Sequence, residues 1–327
     1  MCGKFADIDV FLVILHRKTY QRVMIIGIGE TILDIIFKHD QPQAAVPGGS
    51  TFNAIVSLGR CGVPCTIVTE VGDDHVGDIV VDYLRANNVD TQYVNRHVNG
   101  RSHISLAFLD DNSDAHYQFY KDHAHVQLQG CLPDVKRGDL VVFGSFFAIN
   151  PVIRDAVYAF LQSARKAGAV LFYDINFRAS HIPDIPETLG NIQENMRLST
   201  VVRGSLDDFK YLFGTQNVTE IYEKHIRDYC PCFICTCGGA PIQLRTPSVS
   251  TAFSTEPLSP VSTIGAGDNF NAGFLYALFK NGTIRHEQFP TMDCDEWEPL
   301  IRCGQAFSAD VCMSYNNSVS PEFACKL

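Results

Sequence analysis

Ser262-Thr-Ile-Gly265-Ala-Gly267-Asp268-Asn-Phe-Asn271-Ala-Gly273 runs from a loop of small residues into the first turns of a helix. Glycines at 265 and 267 let the backbone turn tightly and leave consecutive amide N–H groups uncovered. A helix begins there, so those amides lie at its positive end. Gly265, Ala266 and Gly267 thus form an anion hole of the kind that receives a phosphoryl group. Asp268 falls in the first turn beside the hole, where a carboxylate can take the proton of an attacking hydroxyl. The plainer alternative is an N-cap with glycines for close packing.

A second glycine-rich segment, Pro47-Gly48-Gly49-Ser50-Thr51-Phe52-Asn53, opens another helix. Its glycine pair allows a ligand to reach the backbone, and Asn53 offers both a donor and an acceptor. A glycine turn capped by Ser50 is the bland alternative. Asp34 stands among Ile32, Leu33, Ile35 and Ile36. A carboxylate is costly to bury there unless donors surround it, and sugar hydroxyls would supply them. Strand alternation could equally turn Asp34 to water.

Between these segments the chain alternates short apolar runs with amphipathic stretches. Val23–Gly27, Cys65–Val71, Asp139–Phe143, Val170–Asp174, Leu198–Arg203 and Phe233–Thr236 read as strands. Segments from Ser50, His75–Asn87, Pro151–Ala167, Ser205–Phe213, Gly265–Lys280 and Glu296–Tyr315 read as helices. Short strands are expected at Ile242–Leu244 and Val249–Phe253. Strands alternating with helices predict a mostly parallel sheet covered on both faces. The stretch Thr91–Leu128 breaks this rhythm. His103–Leu109 and His116–Tyr120 alternate around the turn Asp110–Asp114, an antiparallel pair. With Ile32–Phe37 it reads as a small sheet projecting from the main body.

Other function classes are excluded by composition. The 327 residues are 46% hydrophobic and 19% charged, enough to bury a core. The net charge of −10 comes without a basic block, so no nucleic-acid surface is expected. No stretch approaches the ~18 apolar residues of a membrane span. Gly27-Ile-Gly29-Glu-Thr-Ile32 lacks the third glycine of a dinucleotide fingerprint, and no Walker phosphate loop occurs. Twelve cysteines in a chain of this size read as small apolar residues in a reducing, cytoplasmic compartment. The group Cys230, Cys232, Cys235 and Cys237 has spacings of one, two and one, with no second ligand pair to complete a zinc site. Residues 1–22 read as an N-terminal extension. The run Ile8–Leu15 imitates a secretory segment, but it lacks a small-residue cleavage site.

Taken together, the two glycine segments resemble the N- and C-terminal signatures of the ribokinase-like, or PfkB, family of carbohydrate kinases. The likeness extends from about Val23 to the C-terminal end. It implies an α/β fold with a doubly wound, mostly parallel sheet and helices on both faces. It also implies one kinase domain over 23–327, with lid strands from about 32–47 and 91–128. In this family the lid closes over the sugar and often mediates a homodimer.

The implied activity is transfer of the γ-phosphate of ATP to a sugar hydroxyl, with Mg²⁺. Asp268 resembles the catalytic base, and Gly265, Ala266 and Gly267 the anion hole. Asp34, Gly48, Gly49 and Asn53 resemble the sugar site. Thr236-Cys-Gly238-Gly239 resembles the nucleotide loop, with Gln305 near the adenine. Asp174-Ile-Asn176-Phe-Arg178 is similar to the D-x-N-x-R of fructokinases and ketodeoxygluconate kinases. Arg178 would face the substrate or a phosphate, unless it forms an ion pair with Asp174. The motif favours fructose or a related keto sugar. The alternatives are 2-keto-3-deoxygluconate or another sugar acid, ribose or a nucleoside, and a non-catalytic sugar-binding relative.

Three segments depart from the family pattern. Ser205-Leu-Asp207-Asp208 replaces N-x-x-E; Ser205 would lie at the nucleotide and Asp208 would hold Mg²⁺ through water, with shorter side chains than the family's. Ser262 stands where an Asp commonly precedes the loop, which weakens the case for a K⁺ site. Pro241 stands where a glycine often ends the nucleotide loop.

Overall fold

The apolar run after Val23 forms β1 (Ile25–Ile28), four buried residues inside a nine-stranded sheet. The computed structural model describes residues 23–109, 115–121, 128, 130–282 and 285–327. The expected extension at 1–22 and the turn Asp110–Asp114 lie outside them. After β1 come β2 (Ile32–Lys38), β3 (Gln41–Gly48), α1 (Ser50–Arg60), β4 (Cys65–Gly72), α2 (His75–Ala86) and β5 (Val94–His97). Then follow β6 (Ile104–Leu109), β7 (Ala115–Tyr120), β8 (Leu140–Gly144), α3 (Arg154–Ala167), β9 (Val170–Asp174) and α4 (Ile185–Leu198). The chain continues through β10 (Val201–Ser205), α5 (Leu206–Phe213), α6 (Val218–Ile221), β11 (Phe233–Cys237), β12 (Ala240–Arg245) and β13 (Ser250–Phe253). It ends with α7 (Ala266–Lys280), α8 (Cys294–Cys312) and α9 (Pro321–Ala324).

The main sheet has the order β13-β12-β11-β10-β9-β8-β1-β4-β5. Seven strands from β11 to β5 run parallel, while β12 and β13 return antiparallel. The chain leaves β1 toward β4 and β5, then crosses back to β8 on the other side. That reversal is a switch point, beyond whose strand ends open α/β sheets bind ligands. Parallel strands are covered on both faces, hence the continuous apolar runs. One core holds Phe52, Ile55, Leu84, Phe274 and Trp297 from α1, α2, α7 and α8. The other holds Val157, Leu161, Ile192, Met196 and Phe209 from α3, α4 and α5. Truncating a fully buried ring such as Phe274 to alanine costs about 3–5 kcal/mol.

A second sheet, β3-β2-β6-β7, forms a four-stranded lid. Its β2 pairs in parallel with β6, and the flanking pairs are antiparallel. The expected lid range 91–128 needs one correction: Val94–His97 extends the main sheet beside β4, so the lid resumes only at Ile104. The helix expected from Pro151 starts at Arg154, because residues 151–153 form a turn. The last long helix ends at Cys312 rather than Tyr315.

The cysteine group is split by strand geometry. Cys232 faces one core, while Cys230, Cys235 and Cys237 face the other. Among the described residues, no group of three or more His, Cys, Asp or Glu could hold a metal ion. Among those same residues, no helix is long and apolar enough to cross a membrane.

Candidate active site

Helix α7 starts at Gly265, whose left-handed backbone (φ 78°) bends the loop into the helix. Asn269 secures that turn twice. Its N–H donates to the Gly265 carbonyl at 2.9 Å, and its Nδ2 donates to the same oxygen at 2.8 Å. The Ala266 amide donates back to Thr263 at 3.2 Å. The amides of Gly267 and Asp268 have no backbone acceptor among the described residues, as expected in a helix's first turn. They border a cavity of about 820 Å³, lined also by Thr236, Gly238, Gly239, Ser205 and Gln305. Pockets for small ligands commonly span roughly 300–1,000 Å³. Every expected nucleotide-side residue therefore meets at one cavity.

Asp268 is buried and fixed from the N-terminal half of the chain. Ser50 Oγ donates to its Oδ1 at 2.7 Å, and Asn53 Nδ2 donates to its Oδ2 at 2.9 Å. Burial pushes its carboxyl above the ordinary aspartate range. The bonds from Ser50 and Asn53 oppose that rise, the Asp174 charge adds to it, and Arg178 opposes it.

The residues expected at the sugar meet one another beside Asp268. A Cβ at Gly48 would lie 2.9 Å from Asp34 Oδ2 and 3.8 Å from Asn53 Oδ1. Gly49 (φ 131°) passes so close to the Glu30 carbonyl that a Cβ would come within 2.3 Å of it. Asp34 is half-buried on lid strand β2, and Ser105 Oγ donates to it. Burial raises its carboxyl and the Ser105 bond opposes the rise. Asn53 Oδ1 is buried without a hydrogen-bond partner. Such an orphaned acceptor costs free energy until a donor arrives.

Asp174 and Arg178 part company. Asp174 is clamped by Arg203 Nη1 at 2.9 Å and by Asn271 Nδ2 at 2.7 Å. The ion pair considered between Asp174 and Arg178 is thus made by Arg203 instead. Arg178 is exposed, lines the cavity and forms no ion pair among the described residues. Between them Asn176 holds a positive φ of 38° at the cavity wall, a strained backbone of the kind that clusters at functional sites.

Ser205 and Asp208 form a capping box at the start of α5. The Ser205 N–H donates to Asp208 Oδ2 at 2.6 Å, and the Asp208 N–H donates to Ser205 Oγ at 3.2 Å. Both residues nevertheless line the cavity. Burial, together with the Asp174 charge, pushes the Asp208 carboxyl up to about 6. That donor set fits a cation held mostly by phosphate oxygens and water, which is the usual manner of Mg²⁺.

Four contributors escaped the sequence reading: Ser50, Arg203, Asn271 and Asn317. Ser50 and Asn271 lie inside the quoted motifs, but their partners are 218 and 97 positions away. Asn317 brings its backbone carbonyl to Asn269 Nδ2 at 2.9 Å. Nothing in its local sequence signals that role.

Comparison with known proteins bears on the family and the fold. The model of the pfkB family carbohydrate kinases matches residues 24–315. A fructokinase of Rhizobium leguminosarum bv. trifolii is 28% identical over 280 residues, covering 83% of this chain and 84% of its own. A Salmonella typhimurium fructokinase is 25% identical over 291 residues, 86% of this chain and 91% of its own. The Vibrio cholerae O395 fructokinase, solved with fructose, ADP and a calcium ion, has a TM-score of 0.79 at 21% identity, covering 93% of this chain and 99% of that one. Aminoimidazole riboside kinase from Salmonella enterica, solved with aminoimidazole riboside and an ATP analog, has the same TM-score and identity, covering 93% and 98%. With a lidded nine-stranded fold and a match over most of its length, the chain belongs to the pfkB family of carbohydrate kinases.

Proposed function

We propose that this kinase transfers the γ-phosphate of ATP to a hydroxyl of fructose or a related keto sugar, with Asp268 as base. One observation carries the reading. Ser50 and Asn53 hold Asp268 between the large cavity and the sugar-side cluster, where Asn53 Oδ1 lacks a partner. A hydroxyl donating to Asn53 Oδ1 or Asp34 would lie next to Asp268, facing a phosphate in the cavity. Its proton passes to the Asp268 carboxylate as its oxygen bonds to the γ-phosphorus. The bond from that phosphorus to the β,γ-bridging oxygen breaks, and ADP leaves with the electron pair.

The Gly267 and Asp268 amides receive the charge on the transferring group. Thr236, Gly238, Gly239 and Ser205 line the ADP side, with Gln305 toward the adenine. Mg²⁺ would neutralise the phosphates, with Asp208 holding it through water. The lid keeps competing water out. Tyr120, 55% exposed on an edge strand of the lid, marks where a homodimer through the lid would meet.

The uncommitted Arg178 favours keto sugars. It would also suit the carboxylate of a sugar acid such as 2-keto-3-deoxygluconate, the second reading. A coupled ADP-release assay with MgATP tests the choice against fructose, ribose, 2-keto-3-deoxygluconate, fructose 6-phosphate and nucleosides. Fructose is expected to give the highest kcat/KM. A clear preference for the sugar acid would transfer the assignment to the second reading, and turnover with none of them would overturn both.

A further inference from the structure

Arg203 lies on β10, is 5% exposed, and takes its place from three other elements at once. Its Nη1 donates to Asp174 at the end of β9, and its Nη2 donates to Thr236 Oγ1 on β11 at 2.7 Å. Its guanidinium packs against Gly267: a Cβ there would lie 2.8 and 2.9 Å from the two Nη nitrogens. It also sits over the Phe270 ring of α7, 5.9 Å from the centroid. Nε is buried with no partner.

Gly267 is therefore glycine for a reason beyond turning the chain. Only a residue without a side chain lets the guanidinium reach the first turn of α7. Lysine has no planar fork with which to bond Asp174 and Thr236 while lying flat on Gly267. The three strand ends and the helix start are thereby fixed to one another through a single side chain.

We propose that Arg203 is a positioning residue for phosphoryl transfer, locking the Gly267–Asp268 amides to the strand ends that carry Asp174 and Thr236. The inference rests on the kinase reading above. It assigns Arg203 to the nucleotide half of the site; its side-chain hydrogen bonds go to Asp174 and Thr236, and none goes to Gly48, Asn53 or Asp34 of the sugar half. Misplacing a phosphoryl-binding group by about 1 Å costs roughly 100-fold in rate.

The test compares wild type, Arg203→Lys and Arg203→Met by steady-state kinetics in both substrates, with melting temperatures recorded. Arg203→Met should lose on the order of 100-fold in kcat and raise the KM for ATP severalfold, with the sugar KM within about twofold. Arg203→Lys keeps the charge without the fork and should lose about tenfold in kcat, with the same split. If Arg203→Met does not fold, the lysine variant decides alone. A lysine variant with wild-type kcat, or one whose sugar KM rises as much as its ATP KM, overturns the proposal. Absence of sugar-dependent ADP release from the wild type itself would overturn the kinase reading instead.

Discussion

Asn53 donates to Asp268 across 2.9 Å of space and 215 positions of sequence. This bond joins the start of α1 to the start of α7, the two glycine-rich segments. Each segment alone has an innocent explanation as a capped helix. Their meeting at one buried carboxylate does not, because capping a helix requires no partner from the far end of the chain. The same amide leaves its oxygen unpaired beside Gly48 and Asp34. In the proposed mechanism that one side chain would both position the base and present an acceptor to the sugar hydroxyl.

Asp34 gives the sharpest test of the sugar half. Asp34→Asn replaces a charged acceptor whose bonds to hydroxyls are worth about 1.5–3 kcal/mol. The expected result is a sugar KM raised roughly 10- to 100-fold, with the ATP KM within about twofold. Equal rises in both constants would remove Asp34 from the sugar site.

Asp208 makes stability depend on pH. Burial and the neighbouring Asp174 raise its carboxyl from 3.8 to about 6, so the folded protein holds this proton more tightly than the unfolded chain. Stability therefore falls as pH rises from about 4 through 6. Asp208→Asn removes the titrating group. Without Mg²⁺, the variant should be more stable than wild type at pH 7, by about 1–3 kcal/mol, and close to it at pH 4. Chemical denaturation at both pH values checks this. A variant with the same pH slope as wild type would contradict it.

Glu30 staples the lid to the main body. It follows β1 and takes His103 Nδ1 at 2.8 Å and Lys121 Nζ at 2.7 Å, at the near ends of β6 and β7. Burial alone would raise its carboxyl; the His103 bond and the Lys121 charge overcome burial and hold it at about 2. Glu30→Gln should loosen the lid and admit water as the acceptor. Sugar-independent ATP hydrolysis is expected to rise severalfold relative to sugar phosphorylation. An unchanged ratio would leave the staple without a role in closure.

Much of the fold was legible because its strands are continuous apolar runs, as at Val170–Asp174. The exceptions have physical causes. Val94–His97 reads V-N-R-H because an edge strand need not be apolar. Gln41–Gly48 falls in the lid range implied at 32–47, but Pro42 and Pro47, tolerated on an edge strand of the lid, hide its alternation. Helix α4 contains Pro186 and Gly190, which mask its periodicity, although Ile192 and Met196 reach the core. At the cavity, Gly265–Asp268 was readable because its glycines and carboxylate are local to one helix start. Arg203 was not, since its partners Asp174, Thr236 and Gly267 come from three other elements.

The central claim is that Asp268 takes the proton of the attacking hydroxyl. Asp268→Asn keeps the shape of the side chain and its place beside Ser50 and Asn53, but removes the base. The most direct measurement pairs the single-turnover rate of phosphoryl transfer with calorimetric affinities for sugar and nucleotide in wild type and Asp268→Asn. The rate should fall roughly 100- to 10,000-fold, with both affinities within about threefold. A variant that transfers phosphate at near wild-type rate would show that Asp268 is not the base.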